Sequence, residues 1–238
     1  TIELATISDT VSPVIQSFYP ASSAFSSEIN IEISAVDNIA VDRLVLRYSY
    51  DEGEEKKWTD LATVKVENPI PSQKISYTFD VSEMPEGEFF VEAVVYDIAG
   101  NVSKPCINAF KVDRTPAEAI TNLKAIGNNG NVHLTWTISD SDISHFEIYR
   151  AEDGVTMYSK LADCKTKDYY DTAVSFGKIY TYKIVAVDIA GNKSNGSNEA
   201  IAQAMQDTEI PKVIGFNPAT GSFLPENPNV YVVATDNN

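Results

Sequence analysis

Apolar and polar residues alternate with a period of two along the chain, and no stretch of helix length repeats every 3.6 residues. The alternation predicts a first group of strands near 13–18, 29–36, 42–50, 57–67, 74–81, 87–96 and 105–112. It predicts a second group near 120–126, 131–137, 144–150, 156–161, 167–171, 178–187 and 197–205. Groups of about seven short strands separated by turn residues indicate β-sandwiches.

Three junctions share one pattern, in which an aspartate and a short polar spacer precede a proline and an apolar strand. They are SDTVSP with Asp9 and Pro13, VDRTP with Asp113 and Pro116, and QDTEIP with Asp207 and Pro211. A proline at the start of a strand removes no ladder hydrogen bond, and its fixed φ stiffens the junction. The junctions predict one domain over 9–113 and a second over 114–206.

The residues after the third junction repeat those after the first. Residues 14–38 and 213–237 both contain an apolar strand, a Pro-Ala turn, a phenylalanine, a polar loop and an alternating strand. We therefore expect 207–238 to be the N-terminal part of a second module of the first kind. TIELATI resembles the last strands before the other junctions, so 1–8 is expected to be the final strand of a preceding module. The predicted fold class is all-β, with tandem antiparallel sandwiches and a truncated last module.

The sequence DIAGN occurs twice, beginning at Asp97 and at Asp188, each time after an apolar strand. Glycine accepts a positive φ without steric penalty, so Gly100 and Gly191 suit a tight turn. Asparagine side chains hydrogen-bond nearby backbone groups in such turns. We interpret both copies as structural turns between the last two strands of a sandwich, with the two aspartates facing the preceding junction.

The second module resembles a fibronectin type III domain. The resemblance rests on VHLTWTI around Trp136, on FEIYRAED after it and on IYTYKIVAVD. Alternation in IYTYKIVAVD places Tyr180, Tyr182, Ile184 and Ala186 on one face. A corner tyrosine in this family bonds a nearby backbone group, and Tyr180 occupies the matching position. The resemblance implies structural roles for Trp136 in the core and for Tyr180 at the corner.

The first module and the partial third module resemble bacterial Ig-like repeats. The resemblance rests on SAVDNIAVDRLVLRYSYDEGEEKKW and on the closing YDIAGN. The corner position here holds Phe89, which has no hydroxyl group, and this separates the two kinds of module. Such mosaics are found in surface adhesins, in non-catalytic parts of polysaccharide-degrading enzymes and in large toxins. The resemblance implies a bacterial, extracellular, multidomain protein in which neighbouring domains are the partners of this segment.

The composition narrows the set of partners. The formal net charge is −16 and the isoelectric point is about 4.4. An acidic surface repels phosphate backbones and anionic lipid, so nucleic acid and membrane insertion are not expected. Apolar runs are far shorter than the roughly 20 residues of a membrane-spanning helix. Cys106 and Cys164 fit no metal-ligand spacing, so we expect two isolated, half-buried thiols.

Residue types typical of catalysis are scarce. His133 and His145 are the only histidines in the sequence, and both belong to the second module. The sequence contains no G-x-S-x-G elbow, phosphate-binding glycine loop or zinc-ligand spacing. Acidic residues near Asp51 lie in a predicted hairpin turn, where carboxylates are ordinarily solvated. We therefore expect no enzymatic site.

Calcium is the one cofactor that the sequence suggests. In an Ig-type sandwich, the N-terminal junction lies at the same end as the turn between the last two strands. This end would gather Asp9, Asp37 and Asp97 in the first module, and Asp113 and Asp188 in the second. Calcium takes six to eight oxygen ligands, and these carboxylates supply several. The alternative is that they are ordinary turn formers that bond their own backbone.

Trp58 is the candidate for ligand binding through an exposed ring, since it follows the acidic hairpin turn. Aromatic residues in strands more often form core and cross-strand pairs, and that reading stays open. The leading hypothesis is a non-catalytic, extracellular spacer that presents other domains of a surface or secreted protein. The alternative is an adhesion module that binds a glycan or a protein partner.

Overall fold

The computed structural model describes residues 9–50, 56–206, 211–217 and 231–235. The first module contains β1 (Val14–Tyr19), β2 (Ala24–Phe25), β3 (Glu28–Val36), β4 (Val41–Ser49), β5 (Thr59–Lys65), β6 (Ser72–Asp80), β7 (Gly87–Asp97) and β8 (Cys106–Val112). Further along are β9 (Thr121–Asn128), β10 (Asn131–Thr137), β11 (Ile143–Glu152), β12 (Ser159–Cys164), β13 (Asp168–Asp171), β14 (Ile179–Asp188), β15 (Ala200–Gln203), β16 (Lys212–Asn217) and β17 (Tyr231–Thr235). Every regular element among the described residues is a strand, so the predicted all-β class is confirmed.

The first module consists of a three-stranded sheet, β1-β3-β6, and a five-stranded sheet, β2-β8-β7-β4-β5. The chain changes sheets after β1, through the cis peptide bond between Tyr19 and Pro20. Strand β2 then runs parallel to β8, with Phe25 opposite Val112. The sequence pattern did not predict β2, because two residues are too few to display alternation.

The core of the first module lies between its two sheets. Phe89, Val91 and Val95 of β7 lie at alternate positions on one face of the strand and are fully buried. The Phe89 ring lies 6.0 Å from that of Phe79 and 5.8 Å from that of Phe110, measured between centroids. Burying one such side chain stabilises a fold by roughly 1.5–3 kcal/mol. Aromatic packing therefore holds the corner where Phe89 replaces a tyrosine.

The second module pairs a β13-β10-β9 sheet with a β12-β11-β14-β15 sheet. Trp136 is 4% exposed and meets Phe146 edge-on, with centroids 5.3 Å apart. Tyr180 is also buried, and its hydroxyl accepts a hydrogen bond of 2.9 Å from the backbone N–H of Ser175. The structure therefore places Trp136 in the core and gives Tyr180 the backbone contact expected of a corner tyrosine.

Strands β16 and β17 pair with the same irregularity as β1 and β3. In the first module, one extra residue follows Ile15, which lies opposite Ala35. In the third, one extra residue follows Val213, which lies opposite Ala234. The shared bulge agrees with the repeat between these segments in the sequence. The predicted strand over 1–8 and Asp207 lie outside the described residues.

The described residues divide into two compact units. One contains the described part of 9–117 together with 140–144 and 187–194. The other contains 118–139, 145–186 and the described residues after 194. The second DIAGN turn therefore belongs to the same unit as the junction that contains Asp113. The domain boundaries predicted at residues 113 and 206 stay predictions.

Replacing Tyr180 with phenylalanine removes the acceptor of the Ser175 N–H while keeping the buried ring. We expect the free energy of unfolding to fall by about 1 kcal/mol, the usual net contribution of such a hydrogen bond. Urea unfolding followed by fluorescence measures the change. Tyr170→Phe is the control, because the Tyr170 side chain is half-exposed. Equal destabilisation by both substitutions would contradict the proposed role of the hydroxyl.

Candidate functional site

The two DIAGN turns have the same hydrogen-bonded geometry. The backbone N–H of Asn101 donates to Asp97 Oδ1 at 2.8 Å, and that of Asn192 donates to Asp188 Oδ1 at 2.8 Å. Gly100 has a φ of +94°, a conformation that L-residues rarely adopt. The repeated sequence therefore encodes one repeated turn.

Each turn also holds the preceding junction through its asparagine amide. Asn101 Nδ2 donates to Asp97 Oδ2 at 2.7 Å and to the carbonyl oxygen of Asp9 at 3.1 Å. Asn192 Nδ2 donates to Asp188 Oδ2 at 2.9 Å and to the carbonyl oxygen of Asp113 at 3.0 Å. We call Asp97, Asn101 and Asp9 the first latch. The second latch is Asp188, Asn192 and Asp113.

The aspartate of each latch is buried. Asp97 is 1% exposed and Asp188 is 3% exposed. Burying a carboxylate is unfavourable unless hydrogen-bond donors replace water, and the asparagine supplies two donors in each case. The sequence pattern predicts these aspartates at the junction end but does not predict that the asparagine amide donates to the junction. The sequence does contain a signal for this contact. In both copies of DIAGN an asparagine follows the aspartate by four residues, and each module is preceded by a junction that contains an aspartate.

A third carboxylate joins the first latch. The loop after β3 contributes Asp37, and carboxylate oxygens of Asp9, Asp37 and Asp97 lie within 4.8 Å of one another. Asp9 Oδ2 and Asp37 Oδ1 are buried, and neither has a hydrogen-bond partner among the described residues. Two unit charges at this separation repel by on the order of 3 kcal/mol at an effective dielectric constant of about 20. This cluster would gain from a bound cation.

The other oxygens of these two aspartates hold the local backbone. Asp9 Oδ1 accepts from the N–H of Val11 at 3.0 Å. Asp37 Oδ2 accepts from the N–H groups of Ile39 at 2.8 Å and Ala40 at 3.0 Å. These are the backbone bonds of a turn-forming aspartate. They occupy one oxygen of each carboxylate and leave the other without a donor.

The second latch contains its own cation. Lys111 Nζ lies 2.6 Å from Asp113 Oδ2, and the N–H of Thr115 donates to Asp113 Oδ1 at 3.1 Å. The hydrogen bond from Lys111 lowers the pKa of Asp113, and the bond from Thr115 acts in the same direction. Asp140 raises the pKa of its neighbour Asp142, first through a hydrogen bond. The Lys111 ammonium thus balances the negative charge of the carboxylates at the second latch.

Trp58 lies just before β5 and is half-buried. The Arg47 guanidinium carbon lies 5.8 Å from its ring centroid, and Arg47 also pairs with the buried Glu92. Other rings of the same sheet are covered in a similar way. Arg43 lies 4.0 Å over Tyr96, for example. Ligand binding at Trp58 stays a prediction.

The remaining candidate groups in the described chain include His133 and the two cysteines. The ring of His133 stacks on that of Tyr170 with centroids 4.1 Å apart. Cys106 and Cys164 are free and half-buried, and burial raises the pKa of the Cys164 thiol. Within the described ranges, no helix is long and apolar enough to cross a bilayer.

Comparison with known sequences finds relatives among bacterial amylopullulanases. No family model matches the chain. An amylopullulanase of Thermoanaerobacter thermohydrosulfuricus is 42% identical over 89 residues, which are 37% of this chain and 6% of that protein. An amylopullulanase of Thermoanaerobacterium thermosulfurigenes is 33% identical over 110 residues, which are 46% of this chain and again 6% of the relative. The chain thus matches small segments of much longer, multidomain proteins.

Comparison with solved structures finds fibronectin type III modules. The FN1–FN3 domains of chicken CNTN1 align with a TM-score of 0.51 and 10% identity, covering 82% of this chain and 67% of that one. Fibronectin(III)-like modules of Clostridium thermocellum CbhA align with a TM-score of 0.47 and 16% identity, over 82% and 94% of the two chains. The alignment with the CNTN1 domains confirms the resemblance to fibronectin type III modules at the level of the fold.

Proposed function

We propose that this chain is a non-catalytic, extracellular spacer that presents neighbouring domains of a longer bacterial protein. The repeated latch is the observation that supports the proposal most directly. Both copies fasten a junction carbonyl to a buried aspartate through an asparagine amide. The amylopullulanase relatives support it further, because their matched segments are a small part of multidomain chains.

The latch and the junction proline act together on the backbone. Proline fixes φ near −65°, and the amide fixes the carbonyl of the aspartate a few residues earlier. A short junction that is held at both points has few free dihedral angles, so it transmits orientation better than a flexible linker. The net charge of −16 keeps such an array soluble. Stiffness and solubility are the two properties that a spacer needs.

Substituting alanine for Asn192 releases the carbonyls of Asp113 and Thr115. We expect trypsin to cut after Arg114 roughly 5- to 30-fold faster than in the wild type, since a lost interaction of about 1–2 kcal/mol raises the open population by that factor. Mass spectrometry of timed digests measures the rate. Asn68→Ala, in a loop outside both latches, is the matched control. An unchanged rate at Arg114 would show that the latch does not restrain the junction.

We further propose that Asp9, Asp37 and Asp97 bind one calcium ion. The support is the pair of buried carboxylate oxygens that have no donor among the described residues. Backbone carbonyls and water would complete the six to eight ligands that calcium takes. Asp113 and Asp188 form no second calcium site in this proposal, because the ammonium of Lys111 already pairs with Asp113.

Calcium is then expected to stabilise the first module. Calcium at about 100 times its dissociation constant should add about 2.7 kcal/mol to the free energy of unfolding. Differential scanning calorimetry with calcium and with chelator measures the shift. Asp37→Asn should abolish the shift, whereas Asp60→Asn, an exposed aspartate of β5, should keep it. A melting profile that is identical with calcium and with chelator would rule out the site.

The second candidate function is glycan binding at Trp58. Its support is a partly exposed indole beside the Arg47–Glu92 pair, since rings stack on sugar faces and charged groups bond sugar hydroxyls. The relatives' name suggests pullulan as the test ligand. We expect pullulan in a native gel to retard the wild type and Tyr170→Ala, but not Trp58→Ala. Equal migration with and without pullulan would remove pullulan as a ligand.

A further inference from the structure

A second group of metal-ligating side chains lies on β11 and β12, apart from both latches. His145, Glu147 and Asp163 each offer one ligand atom, and these atoms lie within 4.8 Å of one another. Glu147 is 5% exposed, although it lies on the outward side of its strand. A carboxylate that is withdrawn from water in this way needs polar neighbours that replace the water.

Strand geometry brings the three side chains together. His145 and Glu147 are two residues apart on β11, so they share one face, while Phe146 between them points into the core. Asp163 of β12 lies directly opposite Glu147 in the antiparallel pair. His145 Nε2 is 4.0 Å from Asp163 Oδ1. The ligand set therefore rests on two hydrogen-bonded strands, which restrict its movement.

A cation already lies between the two carboxylates. Lys160 Nζ is 2.8 Å from Glu147 Oε1 and 2.8 Å from Asp163 Oδ1. The hydroxyl of Tyr149 donates to the other oxygen, Glu147 Oε2, at 2.8 Å. This bond orients the glutamate in the way that outer-shell hydrogen bonds orient metal ligands. The position between the carboxylates thus attracts positive charge in the folded protein.

We propose that His145, Glu147 and Asp163 form a transition-metal site that takes Zn²⁺ in place of the Lys160 ammonium. Imidazole is a poor ligand for calcium and a good one for zinc, so the histidine sets the class of metal. Three protein ligands leave one position of a tetrahedral zinc ion for water. The side chain of Lys160 is 41% exposed on a flexible stem, so it can move into solvent when the metal binds.

The Lys160 ammonium competes with a metal ion for the carboxylates of Glu147 and Asp163, so it lowers the affinity of the site for zinc. Its Nζ lies 2.8 Å from Glu147 Oε1 and 2.8 Å from Asp163 Oδ1, so a metal ion must displace it. Removing this charge frees both carboxylates. Lys160→Gln should therefore bind zinc more tightly than the wild type, because the neutral side chain no longer pairs with the two carboxylates.

Isothermal titration of the tag-free chain with Zn²⁺, in a buffer saturated with calcium, tests the site. Calcium competes with zinc for the acidic cluster of the first module, and the heat lost in His145→Gln is the part that belongs to the second cluster. We expect one equivalent of zinc in the wild type. His145→Gln should weaken binding by at least about tenfold, because even an outer-shell partner contributes 10- to 100-fold.

Two variants keep the test independent of folding. Asp163→Asn removes an exposed ligand and should also weaken binding, with the melting temperature checked in parallel. His133→Gln is the matched control, since His133 also lies near a carboxylate, 3.9 Å from Asp168. It should bind zinc as the wild type does. The proposal is overturned if the wild type takes up no zinc, if His145→Gln binds unchanged, or if Lys160→Gln binds more weakly than the wild type.

Discussion

The architecture of each junction depends on one shared hydrogen-bond donor, the asparagine amide of the latch. Its two N–H groups serve a buried carboxylate on one side and a junction carbonyl on the other. The carboxylate needs donors because it is almost completely withdrawn from water. The asparagine amide that stabilises the turn therefore also holds the chain segment that enters the sandwich. Turn and junction form one unit.

The two latches share a backbone but differ in how their charge is balanced. At the second, Lys111 neutralises Asp113. At the first, Asp37 adds a carboxylate, and two buried oxygens have no donor in the described chain. A lysine two residues before the junction aspartate is enough to separate a self-contained polar cluster from one that favours a cation. The difference lies in the side chains around the turn, since DIAGN itself is identical.

The two sandwiches also solve one corner in different ways. Tyr180 uses its hydroxyl to hold the backbone at Ser175, whereas Phe89 packs between Phe79 and Phe110. Both solutions bury a large ring at the same place in the strand pattern. Stability at this corner requires burial of the ring, and the hydrogen bond is an addition that the tyrosine makes available.

The sequence by itself determined the all-β fold, the DIAGN turns and the meeting of Asp9, Asp37 and Asp97. Alternation and turn chemistry are local, and the sandwich then fixes which loops share an end. Only the tertiary structure decided the parallel strand β2, the reach of Asn192 to Asp113 and the grouping of His145 with Asp163. These depend on which residues face each other across strands, and a bulge after Ile148 resets that register. Pairing across strands is a property of the folded chain, and a one-residue shift changes every partner.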